Sequence, residues 1–249
     1  MLVAAVDTAT LTLSCALLEA GAEIRLLTDR TDRALARPPA GGPTGGHSVR
    51  LPGALSELLD AEGRKLAEVE GYAVGVGPGS FTGLRIGLAT WKGLAYANRR
   101  PIAGASSLAA MALEAAAAAP AGALLVPLLD ARKGEVYAGF YRAAGEGVEA
   151  AAPEAALSPA ALLDRLAPLG QAVGFGEGYG AFEAALASRL PRLGDGPATP
   201  SAAAVARLAA PRLVGAAFDL QALFALEPHY VRLSEAEVKF PRGLGTGRD

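Results

Sequence analysis

The sequence predicts an α/β fold in which each half of the chain builds a mixed sheet flanked by helices. Short apolar segments, which are typical of buried strands, alternate with longer segments in which leucines recur at helical spacing. An apolar strand that ends in aspartate, Leu2–Asp7, is repeated as Leu125–Asp130, and each copy is followed by a short turn and a second strand. A repeat of this kind predicts two related domains of the ribonuclease H-like class.

In the first half, a Pro- and Gly-rich loop at Arg37–Gly46 precedes a helix for which Ser48 is a suitable N-cap and Gly63 a stop. Pro52 lies in the first turn of this helix, where proline is tolerated. The predicted strands are Leu2–Val6, Thr10–Leu18, Glu23–Leu27, Tyr72–Val76 and Pro101–Gly104, and two further helices are predicted at Thr82–Asn98 and Ser106–Ala119.

In the second half, the predicted strands are Leu125–Asp130, Glu135–Tyr141 and Gln171–Phe175, and the predicted helices are Pro159–Leu166, Tyr179–Arg189 and Ser201–Phe218. The segment Glu227–Phe240 mixes apolar and charged residues, and we expect it to pack across a domain surface. We therefore predict a first domain over 1–104, a second domain over 105–240 whose C-terminal segment packs back on the first, and a disordered tail over 241–249.

The composition argues against several classes of protein. The chain has 249 residues, of which 51% are hydrophobic, and its net charge of −2 argues against a protein that holds nucleic acid through its own field. Cys15 is the only cysteine, so no internal disulfide can form. The first apolar run lacks a basic leader and stops at Asp7, and the later runs are shorter than the ~20 residues that span a bilayer. We expect a cytoplasmic protein with no membrane segment.

The most informative segment is 77–87, Gly-Pro-Gly-Ser-Phe-Thr-Gly-Leu-Arg-Ile-Gly, a turn between a predicted strand and a predicted helix. The dinucleotide-binding pattern Gly-x-Gly-x-x-Gly fails here, because Ser80 or Thr82 stands where the third glycine belongs. No acidic residue occurs between Glu70 and Glu114 to hold a ribose. The P-loop and nucleophile-elbow patterns also fail, so the glycines need another explanation.

Packing is that explanation. Gly83 and Gly87 lie four residues apart on one face of a helix, and each costs ~1 kcal/mol relative to alanine. Two such glycines in an alanine-rich chain indicate that another backbone comes close. We expect a structural turn formed by Gly77, Gly79, Gly83 and Gly87. Two arrangements follow for this helix (Thr82–Asn98) and the Leu51–Leu59 helix. Either the two helices form half of a helix bundle that a partner protein completes, or both pack on the protein's own sheet.

Two aspartates follow the repeated strands. Asp7 and Thr8 stand where actin-like ATPases place their first phosphate loop, and Asp130 stands at the equivalent turn. The alternative role for these residues is to cap tight hairpin turns. The two histidines, His47 and His229, lack other ligands at suitable spacing, so we expect no metal site.

The ordered set of segments resembles the TsaB (YeaZ) family, the dimerisation subunit of bacterial tRNA threonylcarbamoyladenosine synthesis. The 77–87 segment is the most specific part of the resemblance, which spans most of the chain. The other segments that carry it are Val6–Thr10, His47–Ser48, Leu51–Pro52, Leu129–Arg132, Glu135–Tyr137, Pro228–Arg232 and Glu235–Glu237.

The resemblance implies an actin-like (ASKHA) fold of two ribonuclease H-like domains and a non-catalytic role without cofactors. In this family the protein pairs with its paralogue TsaD, which transfers threonylcarbamoyl to the adenosine beside the anticodon, and the ATPase TsaE joins them. Pairing uses a bundle of the two helices above, homodimers use much the same surface, and tRNA is met only through the complex. The interface residues implied here are Val49, Leu55, Leu59, Phe81, Thr82, Arg85 and Leu88.

The resemblance also implies a vestigial nucleotide cleft at Asp7, Thr8 and Asp130. The metal-binding histidines of TsaD align near Ser107 and Met111, which are not hard-metal ligands. The alternatives are an actin-like ATPase or small-molecule kinase that uses Asp7 and Asp130, a protease, and a homodimeric protein with another client.

Overall fold

A computed structural model of the chain describes the backbone of residues 1–33 and 47–232 and the side chains of 1–32 and 50–232. The predicted loop at Arg37–Gly46, the segment Glu235–Glu237 and the predicted tail at 241–249 lie outside these residues.

The first half of the chain forms a five-stranded mixed sheet. Its strands are β1 (Leu2–Asp7), β2 (Thr12–Ala20), β3 (Ile24–Arg33), β4 (Gly71–Gly75) and β5 (Ile102–Ala105), in the order β3-β2-β1-β4-β5. Strand β1 pairs antiparallel with β2 and parallel with β4, and β5 is parallel to β4. The carboxyl ends of β1 and β4 therefore lie at the same edge of the sheet.

The second half forms a four-stranded sheet with the same pattern. Its strands are β6 (Leu124–Arg132), β7 (Glu135–Ala144), β8 (Gly147–Leu157) and β9 (Ala172–Phe175), in the order β8-β7-β6-β9. Strand β6 is antiparallel to β7 and parallel to β9, as β1 is to β2 and β4. The predicted fold class, two ribonuclease H-like mixed sheets in an actin-like arrangement, is confirmed.

The helices flank these sheets. They are α1 (His47–Ala61), α2 (Phe81–Asn98), α3 (Ser107–Ala115), α4 (Pro159–Leu166), α5 (Glu177–Ala181), α6 (Glu183–Leu186), α7 (Ala202–Leu213) and α8 (Leu220–Ala225), with short 3₁₀ turns at Leu66–Glu68 and Ala167–Leu169. Serine side chains cap four of them by accepting a hydrogen bond from the backbone amide three residues later; these are Ser80, Ser106, Ser158 and Ser201.

Several elements differ from the sequence-based prediction. The helix predicted at Ser201–Phe218 ends at Leu213, and α8 was not predicted. The strand predicted at Glu23–Leu27 continues to Arg33, and the helix predicted at Tyr179–Arg189 is interrupted at Phe182. Strand β8 was not predicted, because its alanine-rich sequence with Pro153 has low strand propensity. It forms because β7 offers a free edge, and it pairs with β7 alone.

Helices from both halves of the chain cover the first sheet. On one face, leucines of α1 and Trp91 of α2 pack together, and the Trp91 indole donates a hydrogen bond to the Ala4 carbonyl at 3.0 Å. On the other face lies α7, which packs almost entirely through alanines and therefore approaches the strands closely. Although α7 belongs to the second half of the sequence, its contacts are with the first sheet.

The helices of residues 1–33 and 47–232 include none with the length and apolarity that crossing a membrane requires.

Ala209 tests the close packing of α7. We expect Ala209→Leu to lower the free energy of unfolding by about 1–3 kcal/mol, because Ala209 is fully buried against the sheet and the larger side chain overpacks it. The matched control is Arg207→Leu on the exposed side of the same helix, which should change stability by less than about 0.5 kcal/mol. Urea denaturation measures both. Equal effects would show that α7 is loosely packed.

Candidate functional site

A cleft of about 460 Å³ lies between the two halves of the molecule. Its walls come from the turn after β1, the start of α2, the end of β6 and the start of α5. The residues that line it include Ala9, Thr10, Ser80, Phe81, Asp130, Arg132, Tyr137 and Glu177. Of the three residues expected in a nucleotide cleft, Asp130 lines it, whereas Asp7 and Thr8 do not.

Asp7 is enclosed by the turn after β1, the end of β4 and the start of α3. One carboxylate oxygen accepts the Ala9 amide at 2.8 Å, and the other accepts the Ser107 hydroxyl at 2.6 Å. A side chain at Gly75 would collide with this carboxylate. Burial raises the pKa of Asp7 to about 6, against the opposing effect of these two hydrogen bonds. Both oxygens are therefore occupied within the protein and do not reach the cleft.

Asp130 also serves a local turn. One of its carboxylate oxygens accepts the Arg132 amide at 2.8 Å, and the other lies 3.1 Å from the Arg132 guanidinium. Arg132 and Lys133 have left-handed backbone conformations, with φ of 61° and 53°, and the side chain of Asp130 stabilises that turn. The carboxylate is partly exposed to the cleft.

The described residues contain no group of three or more His, Cys, Asp or Glu side chains that could hold a metal ion. The two positions that we expect to align near the metal-binding histidines of TsaD have other roles. Ser107 hydrogen-bonds to Asp7, and Met111 is fully buried in the core beside Phe175.

Ser106, Glu154 and His229 lie together, but not in the order of a hydrolase triad. Glu154 accepts hydrogen bonds from the Ser106 and Tyr141 hydroxyls, and the other Glu154 oxygen lies 3.1 Å from Nε2 of His229. The contact with Glu154 raises the pKa of His229. In a triad the histidine lies between serine and carboxylate. Here the carboxylate lies between them, so the imidazole has no contact with the hydroxyl that it would need to activate.

The glycines of the 77–87 segment make a close contact within the protein. A methyl group at Gly79 would overlap the Ala9 carbonyl, one at Gly83 the Thr8 carbonyl, and one at Gly87 the Thr8 hydroxyl. The backbone that approaches this face of α2 is therefore the protein's own turn after β1. The buried Thr8 hydroxyl has no hydrogen-bond partner among the described residues.

An apolar groove of about 420 Å³ runs between α1 and α2. Leu55 and Leu59 of α1 and Leu94 of α2 form part of its lining. Leu66 of the 3₁₀ turn closes one end and is 38% exposed. An open apolar groove of this size is a typical binding surface for another helix.

The interface residues implied by the resemblance divide into two groups. Phe81, Thr82 and Arg85 lie exposed at the start of α2. Leu55, Leu59 and Leu88 are only 4–6% exposed, and Leu88 packs in the core without lining the groove. The side chain of Val49 lies outside the described residues. Leu88 therefore supports α2 from within and is not part of its outer face.

The outer face of α2 contains residues that sequence reasoning missed. Ala89, Gly93 and Ala97 continue the four-residue spacing of Phe81 and Arg85, and all five are exposed. Nothing lies within 4 Å of a Cβ built at Gly93. The spacing is visible in the sequence, but only the structure separates this face from the buried one with Gly83 and Gly87. We call Phe81, Arg85, Ala89, Gly93 and Ala97 the α2 stripe.

Comparison with known proteins identifies the family. The family model described as TsaD, tRNA N6-adenosine threonylcarbamoyltransferase, matches residues 44–187, more than half of the chain. A crystal structure from Pseudomonas aeruginosa, described as an uncharacterized protein with similarity to peptidase YEAZ, has 31% sequence identity and a TM-score of 0.71 and covers 93% of this chain and 99% of that one. YeaZ from Pseudomonas aeruginosa has 32% identity and a TM-score of 0.66, with coverages of 84% and 91%.

The chain belongs to the TsaB (YeaZ) family. The Escherichia coli protein named tRNA threonylcarbamoyladenosine biosynthesis protein TsaB is 34% identical over 138 residues, 55% of this chain and 59% of that protein. The Bacillus subtilis protein of the same name is 38% identical over 96 residues, 39% of this chain and 41% of that protein. The matches span less than two thirds of either relative. The resemblance inferred from the 77–87 segment is confirmed.

Two glycines of α2 provide a matched pair of variants. We expect Gly83→Ala to destabilise the protein by about 2 kcal/mol, because the methyl group meets the Thr8 backbone. Gly93→Ala should stabilise it by up to ~1 kcal/mol, because the space is open and alanine favours a helix. Thermal and urea unfolding measure both changes. A neutral Gly83→Ala would contradict the close contact between α2 and the turn after β1.

Burial of Asp7 predicts a pH dependence of stability. Its folded pKa of about 6 exceeds the ordinary value of 3.8, so the folded protein holds this proton more tightly than the unfolded chain does. The advantage of wild type over Asp7→Asn should therefore be greatest below pH 3.8 and fall by about 2 kcal/mol as the pH rises from there through 6. Urea titrations of both proteins at each pH provide the measurement. A constant difference between them would show that the carboxyl is not buried.

Proposed function

We propose that this chain is a non-catalytic accessory subunit of tRNA threonylcarbamoyladenosine synthesis in the cytoplasm. It binds the TsaD paralogue through the α1–α2 groove and the α2 stripe, and with the ATPase TsaE it supports transfer of threonylcarbamoyl to the adenosine beside the anticodon. In isolation it forms a homodimer through much the same surface, and it meets tRNA only through the complex. The pathway comes from the names of its relatives.

The observation that carries the binding role is the exposed outer side of α2. Gly93 is a helical glycine with empty space around it, so nothing in the described protein compensates its cost in helix stability. Small residues at Ala89, Gly93 and Ala97 let a second helix approach closely, and the adjacent groove accepts its apolar side chains. A surface of this kind is suited to helix-on-helix docking.

Charge supports pairing of two copies. Two exposed acidic residues lie on α1, Asp60 and Glu57, of which Glu57 forms an ion pair with Arg30 of the same chain. The charged residues of α2 are the cations Arg85 and Lys92. A two-fold arrangement that places α1 of one copy against α2 of the other brings unlike charges together. The same distribution of charge also favours pairing with a paralogue whose two corresponding helices carry charges of the same signs.

The non-catalytic part of the proposal is supported by the state of Asp7. An actin-like ATPase or kinase needs this carboxylate in the cleft, where it can act on metal-bound phosphate. Here both oxygens already accept hydrogen bonds, one from the Ala9 amide and the other from the Ser107 hydroxyl. The enzymatic alternative requires magnesium-dependent nucleotide turnover that Asp7→Asn abolishes, and such turnover would overturn this part of the proposal.

Ala89→Glu tests the docking surface. Ala89 is exposed on the α2 stripe, so the variant should fold normally yet bind TsaD from the same organism at least about 100-fold more weakly, because docking buries an unpaired charge. Titration calorimetry measures the dissociation constant, and light scattering after gel filtration gives the stoichiometry. Leu59 and Leu88 are poorer choices for this test, because they are nearly buried and charge there would damage the core.

The matched control is Ala161→Glu, an exposed alanine on α4 in the second half of the chain, which should bind TsaD as wild type does. Wild-type affinity in a folded Ala89→Glu protein would show that docking occurs elsewhere. If the wild-type chain forms a homodimer but no complex with TsaD, the proposed partner is wrong.

A further inference from the structure

The segment Pro228–Arg232 crosses from one half of the molecule to the other. The His229 amide donates to the Val76 carbonyl at 2.7 Å, just before the glycine-rich turn of the first half. The Arg232 guanidinium donates to the Ala131 carbonyl at 3.1 Å in the second half. These contacts fix both ends of a short strap, and Tyr230 lies between them.

Tyr230 contacts the first two residues of the α2 stripe. Its ring packs against that of Phe81 with 5.3 Å between centroids, and its hydroxyl accepts a hydrogen bond from Nε of Arg85 at 3.1 Å. The Arg85 guanidinium also stacks on Phe81, at 3.9 Å from the ring centroid. Two independent contacts therefore hold the exposed side chain of Arg85 in one orientation. Because this side chain is already ordered, it loses less conformational entropy on binding than a free arginine would.

The terminal nitrogens of Arg85 have no hydrogen-bond or ion-pair partner among the side chains that the structure describes. Within residues 1–32 and 50–232, no carboxylate lies within ion-pair distance of Arg85, whereas Arg25, Arg50 and Arg64 all pair with acidic side chains. Nε is used by Tyr230, so the two terminal NH₂ groups form an oriented pair of donors. That geometry matches a carboxylate, which accepts two parallel hydrogen bonds from a guanidinium.

We propose that Arg85 binds a carboxylate on the docking helix of the partner protein, and that Tyr230 is a positioning residue that orients Arg85 for it. The inference rests on the proposed function and names the chemistry of one contact. A protein carboxylate fits better than a nucleic-acid phosphate, because Arg85 is continuous with the small residues of the α2 stripe and the apolar groove. The neighbouring cation, Lys92, already donates to the Phe224 carbonyl.

The experiment is a double-mutant cycle on the full chain, with TsaD from the same organism as the probe. We expect Arg85→Gln to weaken binding about tenfold and Tyr230→Phe about threefold, because the phenylalanine keeps the ring but loses the hydroxyl acceptor. The double variant should bind no more weakly than Arg85→Gln alone, because Tyr230 acts through Arg85. Arg85→Gln should also flatten the dependence of the dissociation constant on salt.

Arg165→Gln is the matched control, because Arg165 likewise stacks on an aromatic ring, Phe140, and donates to a backbone carbonyl, but lies far along the chain on α4. It should leave affinity and salt dependence unchanged. NMR of the Arg85 Nε–H group gives a second readout, since its signal should shift in Tyr230→Phe even if the fold and melting temperature do not change.

Three outcomes would overturn the inference. Additive losses in the double variant would show that Tyr230 does not act through Arg85, and wild-type binding by both single variants would remove the contact. A loss of affinity for tRNA with unchanged affinity for TsaD would assign Arg85 to a phosphate. If wild-type protein does not bind TsaD at all, the proposed function fails before Arg85 is tested, so the two failures are distinguishable.

Discussion

The close approach of α2 to the turn after β1 is the contact on which the other features of the first domain depend. Gly83 and Gly87 on the inner face of α2 lie directly against Thr8, and Gly79 in the turn before the helix lies directly against the backbone of Ala9. With α2 in that position, Trp91 reaches the Ala4 carbonyl and Leu88 enters the core. The opposite face of the helix then remains exposed along the α2 stripe. Packing of the inner face of α2 and exposure of the α2 stripe are thus two results of one contact.

Next to this contact, the carboxylate of Asp7 is enclosed and does not line the cleft. The turn that α2 covers is the one that an actin-like ATPase uses to hold phosphate, and here its aspartate is sealed between Gly75 and Ser107. Desolvation makes the ionised carboxylate costly, and the hydrogen bonds from Ala9 and Ser107 only partly offset that cost.

Two segments from the second half of the sequence also contact the first half. Helix α7 belongs to the second half of the sequence but covers the first sheet. The strap at Pro228–Arg232 contacts the Val76 carbonyl after β4 in the first half and the Ala131 carbonyl at the end of β6 in the second half. The exposed surface at the start of α2 is therefore built from parts of the chain that are distant in sequence. Arg85 comes from the glycine-rich segment, and the hydroxyl that orients it comes from Tyr230, 145 residues later.

Local patterns in the sequence were enough to determine the fold class, the repeat and most elements, because apolar periodicity, serine caps and glycine stops act over a few residues. They also determined that the 77–87 segment is a packing turn, since its spacing fits no phosphate-binding pattern. Strand β8 escaped prediction, because its alanines form a strand only beside β7. Only the tertiary structure decided which face of α2 is buried, that Leu88 lies inside and that Tyr230 holds Arg85. Those facts depend on contacts between residues far apart in the chain, and no local pattern encodes which of two similar helix faces meets the rest of the protein.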